Sequence, residues 1–333
     1  MLNRRSWCLF LVVFFSVLLG LKLQTMSHID STTSAAIPTQ TPIRVGFSQI
    51  ETDNPWRTAQ INSFREALGP VGMEFVYHEP EEYTASWQAQ DILSLIQEHV
   101  DYLVVVPADA AQLTPSLKKA KEAGVPVILI GQDTSLIDSS VYVSRIMTDY
   151  RKEGEICARM LKQKYGDQLC NIVELFGSEN SPAALARSEG FHREIEQYTN
   201  FHIIDTEHGD FNRVTAQKAM ENALIQASNK MQTIHAVFAH SDEDGLGALQ
   251  AIKVAGISPG ELSIVSINGI QDVCKAIIAG EYLGTVESNP KWGQIVLILI
   301  NQMERDSRPF PVVIIPYRIV NADNAAEYSR TAY

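Results

Sequence analysis

The 333-residue sequence is poor in cysteine and in basic residues. Four cysteines are too few for the disulfide framework of a small secreted domain. The 27 Lys and Arg residues are outnumbered by 39 Asp and Glu residues, which gives a net charge of −12. A general nucleic-acid binder needs a basic face against phosphate, so we predict no nucleic-acid partner. No pair of Cys or His residues has zinc-ligand spacing, so no metal site is predicted.

The sequence also lacks the motifs of cofactor binding and nucleophilic catalysis. Neither Gly-x-Gly-x-x-Gly nor Gly-x4-Gly-Lys-Ser/Thr follows a predicted strand, which argues against a dinucleotide or a nucleoside triphosphate. The nucleophile elbow Gly-x-Ser-x-Gly is absent, and no histidine is framed as the base of a Ser or Cys nucleophile. We therefore predict no cofactor, no catalytic residue and no enzymatic activity.

The first 27 residues differ in character from the rest. Arg4 and Arg5 precede an almost wholly apolar run over 9–21, which is the pattern of a secretory signal. That run is shorter than the roughly 18–20 residues of a transmembrane helix. Because the cleavage site is poorly marked, residues 1–27 are predicted to be either a signal peptide or an uncleaved signal anchor. Residues 28–42, rich in Ser, Thr, Ala and Pro, are predicted to be a flexible tether. The protein is expected in the periplasm, either free or anchored to the inner membrane.

Three cysteines lie in the body of the chain, at Cys157, Cys170 and Cys274. We interpret them as small buried apolar residues. An oxidising compartment would permit one disulfide among the three, and the sequence leaves open whether any two of them pair.

From residue 43 onward, short β-rich runs alternate with amphipathic helical stretches. Several of the runs are continuously apolar, which is typical of parallel strands covered on both faces. About nine such β-α units exceed one doubly wound domain and predict two parallel-sheet α/β domains. The predicted strands are 43–48, 73–78, 102–107, 125–130, 171–176, 201–206, 235–240, 262–268 and 283–287.

The residues that follow the predicted strands are the candidate binding residues, because ligands of open α/β sheets bind beyond the carboxyl ends of the strands. Asn54, Trp56 and Arg57 follow the first strand. An aromatic face beside a guanidinium suits a sugar, which has apolar C–H faces and many hydroxyls. The alternative is that Trp56 packs in the core and Arg57 is solvated. Asp and Ser after a strand are also ordinary helix N-caps. Further candidates after later strands are Gln132, Phe211, Arg213, Ser241, Asp242 and Asn268.

These stretches resemble the periplasmic sugar-binding proteins of the ribose- and galactofuranose-binding type, which are solute-binding proteins of ABC transporters. The resemblance covers about 43–320. It is carried by 45–49 followed by Trp56 and Arg57, by 209–213 and, most specifically, by 238–253. It implies the type I periplasmic binding fold, with two doubly wound parallel-sheet lobes joined by three crossover hinges. The ligand would bind between the lobes and hold them closed.

The resemblance also implies how the chain divides between the lobes. The N-terminal lobe would comprise residues 43–147 and 289–315, and the C-terminal lobe would comprise residues 148–288 and 316–333. Each lobe would then be built from two separate parts of the chain. The protein is expected to be a monomer.

The resemblance implies that this chain keeps several sugar contacts of the family. Glu287 is similar to the residue of the galactofuranose-binding branch. The other kept contacts would be Trp56, Arg57, Phe211, Arg213 and Asp242.

At other positions the chain departs from the family pattern. Family members carry Asp-Arg where this chain has Gly131 and Gln132. They carry Asn in place of Ser241 and Asp in place of Asn268. A hydrogen bond to a charged group contributes about 1.5–3 kcal/mol, against about 1 kcal/mol for a neutral pair. The departures are therefore expected to change or weaken an inherited specificity.

The leading hypothesis from the sequence is a binding protein rather than an enzyme. It would bind a monosaccharide or similar polyol, with a furanose as one candidate, and deliver it to a membrane ABC permease. The alternative is a ligand-sensing periplasmic protein, anchored by its leader, that presents its closed form to a receptor or histidine kinase.

Overall fold

The computed structural model describes residues 41–50, 55–131, 137–179 and 181–333. The predicted leader, nearly all of the predicted tether, and the candidate residues Asn54 and Gln132 lie outside the described residues. Within the described ranges, no helix combines the length and the apolar character that crossing a membrane requires.

The described residues form two six-stranded sheets covered by helices. The first sheet contains β1 (Arg44–Ser48), β2 (Glu74–Tyr77), β3 (Tyr102–Val105), β4 (Val127–Gly131), β5 (Ser144–Met147) and β11 (Val312–Ile314). The second sheet contains β6 (Cys170–Phe176), β7 (Phe201–His208), β8 (Ala236–Ala239), β9 (Ser263–Asn268), β10 (Gly284–Glu287) and β12 (Ile319–Asn321). The helices are α1 (Pro55–Leu68), α2 (Ala85–Gln97), α3 (Ala110–Glu122), α4 (Tyr150–Tyr165), α5 (Pro182–Ile195), α6 (Arg213–Asn229), α7 (Asp242–Val254), α8 (Gln271–Ile278), α9 (Gly293–Glu304) and α10 (Ala325–Tyr328).

Each sheet with its helices forms one lobe. The strand order in the first lobe is β11-β5-β4-β3-β1-β2, and every pairing is parallel. The order in the second lobe is β12-β10-β9-β8-β6-β7, and only β12 runs antiparallel to its neighbour. The chain passes between the sheets after β5, after β10 and after β11. The predicted fold class, two parallel-sheet lobes joined by three crossovers, is therefore confirmed, and the exact lobe boundaries stay a prediction.

The continuously apolar strands are covered on both faces, as their sequences predict. In β4, Ile128 and Ile130 join the apolar cluster beneath α1 and α9. Val127 and Leu129, which point the other way, join the cluster beneath α2 and α3. Because successive side chains of a strand alternate between faces, a strand between two helical layers must be apolar at every position.

The three cysteines of the body lie in the apolar clusters of the second lobe. Cys157 and Cys170 belong to the cluster beneath α4 and α5, and Cys274 belongs to the cluster on the other face of the sheet. All three are buried free thiols, and no disulfide joins them. They serve as small apolar core residues.

Helices α4 and α5 pack so closely that only glycine fits between them. A Cβ on Gly190 would lie 1.9 Å from the carbonyl oxygen of Arg151, and a Cβ on Gly154 would lie 2.0 Å from that of Arg187. The two backbones are therefore in direct contact. This contact determines where the side chains of α5 emerge.

We expect Gly190→Ala to force α4 and α5 apart. Overpacking of this kind costs roughly 1–3 kcal/mol of unfolding free energy, whereas alanine inside an unhindered helix would stabilise it by up to ~1 kcal/mol. Urea unfolding measures the difference. Gly69→Ala is the control, because a Cβ there would meet nothing within 4 Å. Equal stability of the two variants would contradict the close packing.

Candidate ligand-binding site

A cavity lies between the two lobes, at the carboxyl ends of their strands. The first lobe contributes the start of α1, namely Pro55, Trp56 and Arg57. The second lobe contributes Tyr150, Ser181, Ala183, Arg187, Phe211, Ser241, Glu243, Asn268, Ile270, Ser288 and Tyr333.

Trp56 is held in the cavity wall by contacts on two sides. Its Nε1 donates a hydrogen bond to the carbonyl oxygen of Ser288 at 2.6 Å, which ties the first lobe to the second. The indole also meets Trp292 edge to face, with ring centroids 5.7 Å apart, and packs against the core of the first lobe. Trp56 therefore lines the cavity and also packs against the core, so the two alternatives do not exclude each other.

Arg57 is buried beside Trp56 and is not solvated. Arg57 is only 8% exposed. The guanidinium carbon lies 4.9 Å from the centroid of the Trp56 ring, and Nη1 donates to Gln60 Oε1 at 3.2 Å. Arg57 thus brings a positive charge and hydrogen-bond donors into the cavity wall.

Arg187 lines the cavity but was not among the candidate residues, because it lies on α5 and does not follow a predicted strand. Its Nε donates to Glu153 Oε2 at 2.8 Å, and Nη1 donates to the carbonyl oxygen of His240 at 2.9 Å. Nη2 donates to Ser288 Oγ at 3.3 Å. The guanidinium carbon also lies 5.3 Å from the centroid of the Tyr150 ring. The guanidinium is therefore held in one position by groups of the protein itself.

The partner of Arg187 is wholly buried. Glu153 is 0% exposed. Burial raises the pKa of its carboxyl, and the charge of Arg187 acts against that rise. The sequence contains a signal for this pair, because Arg187 stands at a core-facing position of α5 among Ala184, Gly190 and Phe191. An arginine on the buried stripe of a helix requires a partner.

Phe211 lies at the cavity in a strained turn. Asp210 and Phe211 both have φ of +57°, the left-handed region that bulky side chains rarely adopt. The neighbouring Gly177 provides the space for the ring, since a Cβ on Gly177 would lie 2.3 Å from ring atoms of Phe211. The backbone therefore stores strain to direct one aromatic ring toward the cavity.

Ser241 also lines the cavity, but most of its hydrogen-bonding capacity is used. Its Oγ donates to Asp244 Oδ2 at 2.7 Å and accepts from the backbone N–H of Asp244 at 3.2 Å, as the N-cap of α7. One lone pair of the hydroxyl remains for another partner.

Asp242 does not line the cavity. It is wholly buried, and its Oδ1 accepts from the hydroxyls of Ser266 at 2.5 Å and Thr285 at 2.7 Å. Its Oδ2 accepts from the backbone N–H groups of Gly269 and Ile270, each at 2.7 Å. Burial raises the pKa of this carboxyl, and these hydrogen bonds act against the rise. Asp242 is therefore a positioning residue.

The turn that Asp242 holds carries Asn268 into the cavity. Asn268 ends β9 with φ of +141°, a conformation that side-chain-bearing residues rarely adopt. The two N–H groups that Asp242 accepts belong to the next two residues, Gly269 and Ile270. Asp242 therefore fixes the backbone that presents Asn268.

Arg213 and Glu287 do not line the cavity either. Arg213 forms a two-point ion pair with Glu243, at 2.8 and 3.0 Å, and lies in an adjoining outer groove. Glu287 accepts from Asn289 Nδ2 at 3.2 Å and lies 3.8 Å from Arg318 Nε. Of the candidates that the structure describes, it brings together Trp56, Arg57, Phe211, Ser241 and Asn268.

A cluster of buried Ser48, buried Asp91 and partly exposed His78 lies outside the cavity. Ser48 Oγ donates to Asp91 Oδ2 at 2.5 Å, and His78 Nδ1 lies 2.6 Å from Asp91 Oδ1. The carboxylate thus stands between the hydroxyl and the imidazole. A nucleophilic serine needs the imidazole in direct contact, so this order does not activate Ser48.

A second acid–histidine cluster surrounds Glu174 on β6. Its Oε1 lies 2.9 Å from His240 Nε2, and its Oε2 lies 2.8 Å from His192 Nε2. Burial alone would raise the pKa of Glu174, but the bonds to His192 and His240 outweigh it and hold that pKa far below its usual value. The cluster ties β6 to α5 and to the end of β8. In the part of the chain that the structure describes, no group of His, Cys, Asp and Glu residues is arranged to hold a metal ion.

Comparison with known proteins identifies the family. Residues 45–302 match the periplasmic binding protein domain. This match spans most of the chain, and it agrees with two parallel-sheet lobes that enclose a cavity at their carboxyl ends. The chain belongs to the periplasmic binding proteins.

Individual relatives refine the comparison. The galactofuranose-binding protein YtfQ of Escherichia coli is 31% identical over 266 residues, which are 80% of this chain and 83% of that protein. A crystal structure of a galactofuranose-binding protein superposes with a TM-score of 0.80 at 30% identity, over 87% of this chain and 98% of the other.

A third match comes from Shewanella sp. ANA-3. The periplasmic binding component of its arabinose ABC transporter, bound to α- and β-L-arabinofuranose, superposes with a TM-score of 0.80 at 29% identity. The alignment covers 86% of this chain and 95% of that chain. Together these matches confirm the resemblance to sugar-binding periplasmic proteins of the ribose and galactofuranose type.

Removing the Asp242 carboxylate tests its role as a positioning residue. We expect Asp242→Ala to orphan the N–H groups of Gly269 and Ile270, and each buried orphan costs about 1–3 kcal/mol of unfolding free energy. Asp242→Asn is the matched control, because its amide oxygen accepts from both N–H groups while its NH₂ donates to the hydroxyls. Denaturant unfolding that finds both variants as stable as the original protein would contradict the role.

Proposed function

We propose that this protein binds a neutral monosaccharide or similar polyol between its lobes and delivers it to a membrane ABC permease. A furanose is the favoured ligand form. The observation that carries the proposal is the cavity itself, in which two aromatic residues, Trp56 and Phe211, accompany the fixed guanidinium of Arg187. Aromatic faces pack on the C–H faces of a sugar, and guanidinium N–H groups donate to its hydroxyls.

The charges around the cavity favour a neutral ligand. Arg187 is paired with buried Glu153, and Glu243 is paired with Arg213. At these residues a charged ligand would compete with partners that are already in place. Polyol hydroxyls require no such compensation, because they exchange hydrogen bonds with water for hydrogen bonds with the protein.

Hydrogen-bond capacity in the cavity comes from several elements. Arg57 enters from α1, Arg187 from α5, and Asn268 from the end of β9. An amide and two guanidiniums supply mainly donors, so sugar oxygens are the natural acceptors. These groups surround one cavity, which supports a small ligand with many hydroxyls.

The relatives support a furanose. The relatives reported above are described as binding galactofuranose or as bound to L-arabinofuranose, and others are described as binding ribose and xylitol. A Mycobacterium smegmatis protein bound to β-D-fucofuranose superposes at 28% identity with a TM-score of 0.77. Ser241 and Asn268, which depart from the family pattern, are proposed to shift the preference among such sugars.

The cellular setting is part of the proposal. Residues 1–27 would direct export, and residues 28–42 would link them to the body. The body would act as a monomer in the periplasm, without enzymatic activity, with 43–147 and 289–315 as one lobe and 148–288 and 316–333 as the other. The periplasmic solute-binding role of the relatives supports this setting.

A thermal-shift panel tests the proposed function. The panel contains L-arabinose, D-galactose, D-fucose, D-ribose and xylitol. A ligand present at 100 times its Kd stabilises the folded state by about 2.7 kcal/mol, so we expect at least one member to raise the melting temperature clearly. A panel without any such rise would contradict the proposal.

Variants locate the binding. Trp56→Ala is expected to abolish the sugar-dependent rise because it removes one aromatic wall of the cavity. It will also lower the melting temperature without sugar, since the bond to Ser288 is lost. Trp87→Ala on α2 is the control, because Trp87 does not line the cavity, and it is expected to keep the sugar-dependent rise.

A further inference from the structure

The hydroxyl of Tyr333 is buried at the cavity. Tyr333 lines the cavity, and its Oη has no hydrogen-bond partner in the described part of the chain. A buried polar group without a partner destabilises the folded protein. Native proteins therefore rarely keep one unless another molecule satisfies it.

The position of Tyr333 is built by the surrounding structure. The backbone N–H of Gln271 donates to the carbonyl oxygen of Tyr333 at 3.1 Å. One turn earlier, Tyr328 accepts through its carbonyl oxygen from the N–H groups of Thr331 at 2.9 Å and Ala332 at 3.1 Å. Lys291 Nζ donates to the carbonyl oxygen of Thr331 at 3.2 Å. These bonds hold the segment 329–333 against the second lobe.

The Tyr333 hydroxyl is a proton donor at neutral pH. Burial raises the pKa of Tyr333 well above its usual value, so the phenol stays protonated. The ring packs against the apolar cluster of the second lobe. A protonated hydroxyl on an anchored ring is a preorganised hydrogen-bond donor, and such donors bind at a small entropic cost.

Tyr333 also stands between two spaces. It lines the inner cavity and an outer groove whose other walls include Thr58, Asn62, Arg213 and Gln271. The two spaces share Pro55, Glu243, Ile270 and Tyr333 as common walls. Tyr333 is therefore one of the four residues that lie between the cavity and the groove.

We propose that Tyr333 is a specificity-determining residue: its hydroxyl donates a hydrogen bond to one hydroxyl of the bound sugar, and its ring restricts the cavity to a single sugar unit. This inference rests on the proposed function. It assigns to the segment 329–333 a direct part in recognising the ligand, in addition to the residues that follow the strands.

The hydroxyl is tested with Tyr333→Phe, which removes one oxygen and keeps the ring. The probe is whichever of L-arabinose, D-galactose, D-fucose and D-ribose binds the original protein most tightly in calorimetric titration. We expect Tyr333→Phe to weaken binding about 5- to 50-fold. Its melting temperature without sugar is expected to stay the same or to rise, because the variant no longer buries a hydroxyl that lacks a partner in the described part of the chain.

Monodeoxy analogues of the same sugar identify the contact. The original protein is expected to bind one of these analogues more weakly than the parent sugar, whereas Tyr333→Phe is expected to bind that analogue and the parent equally. The four affinities, of two proteins for two sugars, form a double-mutant cycle that isolates the interaction between the Tyr333 hydroxyl and the removed sugar hydroxyl. Tyr165→Phe is the control, since its hydroxyl donates to the carbonyl oxygen of His235 far from the cavity. It is expected to lower stability and leave affinity unchanged.

The ring is tested with Tyr333→Ala and methyl glycosides of the probe sugar. The original protein is expected to prefer the free sugar over the methyl glycoside, and Tyr333→Ala is expected to reduce that preference at least about 10-fold because the cavity then opens into the groove. An unchanged preference would overturn the assignment of the ring.

The outcomes separate this inference from the proposed function. If the original protein binds no sugar, the proposed function fails and the inference fails with it. A different result is that the original protein binds sugar while Tyr333→Phe binds every sugar and analogue as tightly as the original protein does. In that case the proposed hydroxyl contact is wrong and the proposed function stands.

Discussion

The buried ion pair between Arg187 and Glu153 is the interaction on which the second lobe and its cavity wall depend. Glu153 is wholly buried, and an unpaired charge at such a position costs several kcal/mol. Arg187 must therefore stay where Glu153 holds it, and from there its other nitrogens reach His240 and Ser288. One guanidinium thus joins α4, α5, the end of β8 and the crossover that follows β10. The charge that Arg187 contributes to the cavity wall is therefore fixed in position by the protein itself.

The rest of the cavity follows the same principle of preorganisation. Phe211 is held in a left-handed turn over Gly177, and Asn268 is held by a turn whose N–H groups end on buried Asp242. Each of these strained turns lowers the stability of the protein locally. Each also fixes a side chain whose conformational freedom a ligand would otherwise have to restrict on binding. A rigid set of aromatic and hydrogen-bonding groups suits a small neutral polyol, which offers no charge to offset the cost of ordering a flexible site.

The sequence predicted the architecture well because the signals were local. Each of the nine predicted strands has a counterpart in the structure. The inner strands β3, β4 and β8 are buried at every position, as their continuously apolar sequences predict. The strands β5, β11 and β12 were missed because they are short: β5 has four residues, and β11 and β12 are edge strands of three residues. The site was harder to predict. Sequence order places Asp242 at a strand end, but only the fold brings Ser266 and Thr285 around it. Arg187 was missed because it enters the cavity from a helix face.

A crystal structure of the protein grown with the sugar that stabilises it most would show directly whether the cavity binds the ligand. We expect one sugar ring between Trp56 and Phe211, with a sugar oxygen within about 3.2 Å of the Arg187 guanidinium. Arg187 is expected to keep its bond to Glu153 in the complex. A sugar bound elsewhere on the protein, or bound in the cavity without contact to Arg187, would contradict the proposed binding site.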